Sequence, residues 1–154
     1  MAEIVPNEGL DYWLNIMLKA GTPPANTYLL LWEGATASTT PAATAVLATQ
    51  TGVTETNFGG YLRQAIPAAD WSAPAGGTSI WGDATVRSCL ATQESFPAAT
   101  GAYATAINGF GLGTTTGRAT GIGLLYSNFD DTTAVASLGI GDVIRVTPRY
   151  GLAP

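Results

Sequence analysis

The stretch "GDVIRVTPRYGL", residues 141–152, decides how the rest of the chain is read. Ile144 and Val146 alternate with Val143, Arg145 and Thr147, the two-residue period of a strand with one buried face. Ile144 and Val146 are expected in the core, and Val143, Arg145 and Thr147 outside. Pro148 has no amide to donate to a ladder, so the strand ends there or lies at an edge. No helical period competes with this pattern.

Further segments of the same kind lie upstream. "NTYLLLW" (26–32) reads as a buried strand closed by Glu33-Gly34. "VTETNFGGYLRQAI" (53–66) alternates imperfectly around Gly59-Gly60, where a bulge or sharp bend is expected. "DWSAPAGGTSIW" (70–81) holds a turn at Pro74 to Gly77, and "DATVRSCLATQESF" (83–96) alternates well. "GAYATAINGFGLGTTTG" (101–117) is a weaker strand signal, followed by extended segments at 118–129 and 132–140. Residues 35–52, an Ala/Thr tract with Pro41, suggest a loop with a short helical turn. Short strands separated by turns, without interleaved helices, predict an all-β antiparallel sandwich or barrel. No fixed-period repeat indicates a solenoid or propeller.

One segment breaks the pattern. In "IVPNEGLDYWLNIMLKAG" (4–21), Leu10, Trp13, Leu14, Met17 and Leu18 fall on one face of a helix. Asn7 is a candidate N-cap, Glu8 and Asp11 suit the positive end of the helix dipole, and Lys19 suits the last turn. Gly21 is the candidate left-handed cap, and Pro23-Pro24 bar continuation. The expected layout is a single domain over 1–154, with an extended arm over 1–9, a helix over 10–20 and a β-sandwich over 26–150. The apolar helix face is expected to cover an open end of the sandwich, with docking on a partner as the alternative.

Composition narrows the function. The chain has 154 residues, enough for one core without a disulfide or metal staple. Its one cysteine, Cys89, reads as a packed small thiol. Only 11% of residues are charged, against about 25% in ordinary domains. So sparse an ionic surface suits a protein packed in an assembly better than a freely diffusing monomer. Net charge is -5, and the six Lys and Arg residues are scattered, which disfavours nucleic acid. No run of about 18 apolar residues predicts a membrane span. The first residues lack the basic region and apolar run of a signal peptide.

The search for chemistry returns little. Histidine is absent, which removes the usual general base and the commonest transition-metal ligand. One cysteine cannot build a zinc cluster. Ser-Lys catalysis would need Lys19, on the terminal helix. "GFGLG" (109–113) has Thr114 where a dinucleotide fingerprint needs glycine, and no helix is expected after it. Asp70, Asp83, Glu94, Asp130 and Asp131 are carboxylates of the type a glycosidase pairs across roughly 5–9.5 Å, but their spacing singles out no pair. Asp130-Asp131 beside Asn128 could offer oxygen ligands to calcium, with an Asx-rich turn the preferred reading. Trp32 is assigned to the core. Trp71 and Trp81 flank a loop, where the core reading is preferred to a sugar platform.

Six stretches taken together resemble a family of short tailed-phage virion proteins, frequent among cyanophages. They are "IVPNEGL" (4–10), "YLLLWEG" (28–34), "TETNFGGYL" (54–62), "DWSAP" (70–74), "GIGLLY" (121–126) and "IGDVIRVTP" (140–148), in the family's order. Residues 35–52 and 97–117 do not align, and the doubled glycine at 59–60 departs from a usual single one. The resemblance implies a jelly-roll sandwich acting as a cement or decoration protein on the outer capsid surface of a virion, often trimeric. It implies no enzymatic activity and no cofactor. The expected partners are the major capsid protein and further copies of this chain, with no nucleic acid and no membrane. Glu3, Ile4, Val5 and Pro6 of the arm are the expected partner-binding residues. A tail, fibre or baseplate module, possibly glycan-binding, is the rival assignment, and a carboxylate-dependent hydrolase is a distant third.

Overall fold

Residues 3–34, 41–76, 87–129 and 135–152 are described by the computed structural model. The strands are β1 (Glu3–Ile4), β2 (Asn26–Glu33), β3 (Thr54–Glu55), β4 (Gln64–Pro67), β5 (Ala75–Gly76), β6 (Arg87–Leu90), β7 (Glu94–Ser95), β8 (Ile107–Gly113), β9 (Gly123–Asn128), β10 (Arg145–Val146) and β11 (Arg149–Leu152). One helix, α1 (Asn7–Lys19), follows β1. Every pairing between these strands is antiparallel.

The largest sheet runs β1-β9-β8-β2-β3, with β4 also pairing to β2. β11-β6-β5 and β10-β7 form smaller sheets. The chain is therefore all-β with one N-terminal helix, as the two-residue periods predict. These pairings do not by themselves define jelly-roll wiring.

β2 explains why an antiparallel strand can be a continuous apolar run. Successive side chains point to opposite faces, and here both faces are covered. Leu29 and Leu31 enter the main core with Ile66, Phe96, Ile107, Leu124, Ile144 and Val146. Leu30 and Trp32 enter a second core with Ala45, Leu47, Val53 and Tyr126. That second core is the underside of residues 41–53, which fold as a series of turns with a Val46–Thr51 bridge. The expected short helical turn in this tract is thus a turn network, and its remaining residues lie outside those described.

The "GFGLG" stretch is the middle of the central strand β8, buried throughout. At Gly111 a Cβ would lie 2.7 Å from the Tyr126 ring and 2.8 Å from Leu125 O, so the glycine lets the neighbouring strand's tyrosine lie across it. At the bend after β3, Gly60 has φ +87°, a left-handed conformation that glycine takes without strain. The strand at the C-terminus breaks where Pro148 forbids a ladder bond, and Ala91 N–H donates to the Pro148 carbonyl at 3.0 Å. Ile144 and Val146 are buried and Val143, Arg145 and Thr147 are exposed, as expected.

Three expectations about the N-terminus are corrected. The helix starts at Asn7 rather than residue 10, with Pro6 as the capping position, so Asn7 is inside it. Ala20, at φ 53°, takes the left-handed position expected of Gly21. Residues 3–6 do not form a free arm. Glu3 and Ile4 pair with Ser127 and Tyr126 of β9, Val5 packs against the main core, and Pro6 is buried. A proline can sit here because the position it occupies needs no amide donor.

Candidate interaction surface

Helix α1 is fastened to the sheets by a side that the apolar pattern conceals. Gly9 is its one buried residue, and Tyr12, Trp13 and Ile16, on the same side, are half-buried. A Cβ at Gly9 would lie 2.8 Å from the carbonyl oxygens of both Gly123 and Leu124. The helix backbone therefore comes down onto β9 at Gly9. That contact turns the leucine stripe, which starts one residue later and about 100° around the helix, toward solvent.

The stripe is consequently open. Leu10 is 48% exposed, Leu14 52%, Met17 75% and Leu18 76%. The expectation that this face covers the sandwich fails for these four residues. Of the five, only Trp13 packs against the core. Single exposed leucines are ordinary, but four apolar side chains on one arc of one helix form a patch of the kind that marks an interaction surface.

Polar contacts hold the helix in place. One carboxylate oxygen of Glu8 accepts the Gly123 amide at 2.6 Å and the Leu47 amide at 3.0 Å. The Asn7 amide donates to Ala43 O at 2.8 Å. The first turn thus binds β9 and the 41–53 turns at once, and the exposed stripe is presented on a rigid mount.

A second polar centre braces the opposite edge of the large sheet. Glu55 and Arg63 form an ion pair at 2.6 Å, both side chains fully buried. Glu55 Oε1 accepts from Tyr61 OH at 2.8 Å and Arg63 Nε at 2.7 Å, and Oε2 accepts from Arg63 Nη2 at 2.6 Å and Ala119 N at 2.9 Å. Arg63 Nη1 donates onward to Thr115 O at 2.8 Å and Thr120 O at 3.1 Å. Arg118 donates to the carbonyls of Thr56 and Glu55. The carboxylate's acceptor directions are all used, so Glu55 clamps the 114–121 loop and has no free lone pair for a substrate. Burial, then the Glu55 charge, pushes the Tyr61 phenol far above its ordinary range. This centre explains the "TETNFGGYL" stretch: Glu55 and Tyr61 belong to the clamp, while Phe58 and Tyr61 meet edge to face at 5.3 Å and Tyr61 stacks on Phe96 at 5.9 Å.

The carboxylates singled out in the sequence are not brought together. Asp70 is exposed on a short 3-10 turn (Ala68–Asp70), and Glu94 is half-buried on β7. Asp83, Asp130, Asp131 and Trp81 lie outside the described residues. No cluster of three or more metal-ligating acids or thiols occurs among the described residues, and no described helix is long and apolar enough to cross a membrane.

Trp71 lines an apolar cleft of ≈ 230 Å³ with Trp13, Pro23, Pro24, Cys89 and Tyr150 around its walls. Its indole N–H is committed to Thr27 Oγ1 at 3.2 Å. A sugar face needs several hydrogen-bonding groups beside its aromatic ring, and these walls are almost wholly apolar. Cys89 is half-buried there, in keeping with a packed thiol.

Comparison with known proteins finds no family model that matches this chain and no curated protein that matches it.

Proposed function

We propose that this chain is a structural protein of a tailed-phage virion, a cement protein that binds the outer surface of the major capsid protein lattice as a homotrimer and stabilises it. The observation that carries this reading is the solvent-facing stripe Leu10, Leu14, Met17 and Leu18, held on a helix whose other side is locked to the sheet. A rigid apolar ridge on a chain with 11% charged residues suits permanent packing. Covering each of these side chains contributes on the order of 1 kcal/mol. That is modest for one copy, but symmetric copies on one lattice raise the effective concentration and convert modest contacts into durable attachment.

The contact surface in this reading is the helix ridge. Residues 3–6 support it from beside: β1 is an edge strand, and its unpaired side adjoins the start of α1. The order of the six family-like stretches adds the virion context. The role is mechanical, without turnover or a cofactor.

The test is co-sedimentation of the purified protein with capsids lacking it. The wild type should saturate the shell, and a Leu14→Glu, Met17→Glu, Leu18→Glu variant with an unchanged melt should not. Equal occupancy by that folded variant contradicts the reading.

A further inference from the structure

The cleft beside Trp13 has features that a docking ridge does not use. Its floor is buried: Ile66, Leu112, Leu124 and Leu125 are at most 6% exposed. Its rim is open, with Pro23, Ala25 and Ala68 exposed. It is therefore a recess running from the surface to the main core, between the C-terminal end of α1, the large sheet and the β6–β11 pair. At ≈ 230 Å³ it is larger than an apolar cavity of about 150 Å³, which stays dry and takes benzene, and smaller than the pockets of about 300 Å³ and above that take drug-sized molecules.

One polar atom in it is unsatisfied. Trp13 Nε1–H is buried and has no acceptor, whereas the neighbouring Trp71 N–H is bonded to Thr27. A buried donor without a partner carries a desolvation cost that an acceptor removes. Neither Cys89 nor Tyr150, the ionisable residues of the walls, offers a positive charge to hold an anion, and a charge placed here would be desolvated without compensation.

We propose that this cleft is a binding site for a small, uncharged, mainly apolar molecule, the size of a two-ring aromatic or a short alkyl chain, whose single acceptor takes the Trp13 indole N–H. Apolar contact with Leu112, Leu124 and Leu125 supplies affinity, and the indole N–H sets orientation. The proposal does not depend on the capsid role, because the exposed ridge and the recess are different surfaces.

The experiment titrates the full-length ¹⁵N-labelled protein with naphthalene, 2-acetylnaphthalene and 2-naphthoate, following the indole N–H resonances by NMR. Trp13→Phe identifies the Trp13 signal. The ketone should bind about tenfold more tightly than the hydrocarbon and move the Trp13 signal most, with the carboxylate weakest. In Trp13→Phe, the ketone should lose that advantage while naphthalene binds as before. Ala68→Trp, at the exposed rim, should weaken both neutral probes by tenfold or more, and Ala25→Trp serves if that variant does not fold. The proposal is overturned by absence of saturable binding up to the probes' solubility, by equal binding of the carboxylate, or by indifference to both rim variants. It is also overturned if raising protein concentration alone carries the Trp13 signal to its bound position, since a second copy then fills the cleft.

Discussion

The Glu8 carboxylate accepts the amide of Gly123 at 2.6 Å, joining the first turn of the helix to the start of β9 across 115 positions of sequence. The same oxygen takes the Leu47 amide, so one side chain ties together the helix, the large sheet and the turns over the second core. Hydrogen bonds to a charged acceptor contribute about 1.5–3 kcal/mol. Glu8→Ala should therefore lower unfolding free energy by about 2 kcal/mol in urea, and Glu8→Gln, which keeps an acceptor, by less. Deleting residues 1–9 removes β1, Pro6, Glu8 and Gly9 together. It should destabilise the domain outright, where a free arm would be dispensable.

The Glu55–Arg63 pair gives a larger effect. Breaking a fully buried ion pair by removing one partner typically costs about 3–5 kcal/mol, because the remaining charge is stranded. Arg63→Ala and Glu55→Ala should each approach that loss in chemical denaturation. The double replacement Glu55→Leu, Arg63→Met should recover a large part of it. A double variant no more stable than either single one would show that the loop contacts of Thr115 and Thr120, not the stranded charge, dominate.

Alkaline pH should act through two phenols. Tyr61 is pushed far above the ordinary 10.0 by burial and the Glu55 charge, and Tyr126 by burial and the Glu8 charge. In both cases the folded state holds the proton more tightly than the unfolded chain. Their stabilisation is complete below pH 10 and is lost as pH rises beyond it, at up to about 1.4 kcal/mol per pH unit for each group. Ultraviolet difference titration should show these two tyrosines ionising only together with unfolding, and Tyr126→Phe should reduce the alkaline sensitivity.

The two sides of α1 should respond differently to substitution. Trp13→Ala, on the packed side, should cost about 2 kcal/mol, a partly buried version of the core aromatic loss. Leu14→Glu, Met17→Glu and Leu18→Glu should each stay within about 0.5 kcal/mol, because they face solvent. The same three changes should reduce self-association in sedimentation. A large drop in melting temperature from Leu14→Glu alone would place that face inside the fold.

The period of two at Ile144 and Val146, the apolar run of β2 and the bend at Gly59-Gly60 were legible because they reflect local backbone and burial preferences. The side on which the helix packs was not. Hydrophobic periodicity weights large side chains, and the deciding residue, Gly9, has none. Its importance lies in the distance it permits between the helix and β9, which only the tertiary fold defines. Glu55 and Arg63 were passed over for a related reason. Eight positions apart on either side of a bend, they match no catalytic or metal spacing, and only the return of residues 114–121 makes them a buried clamp. An acid flanked by Val53, Phe58 and Tyr61 was the available signal. Glu8, read as a favourable charge at the helix start, also serves as a bond to two distant amides.

The central claim concerns where the Leu10, Leu14, Met17 and Leu18 ridge sits in the mature particle. Electron cryomicroscopy of the virion assembled with this chain tests it most directly. The account predicts density for the domain on the outer surface of the head, with the ridge of α1 buried against the shell or a neighbouring copy. Density confined to the tail, or on the head with the ridge facing solvent, would contradict it.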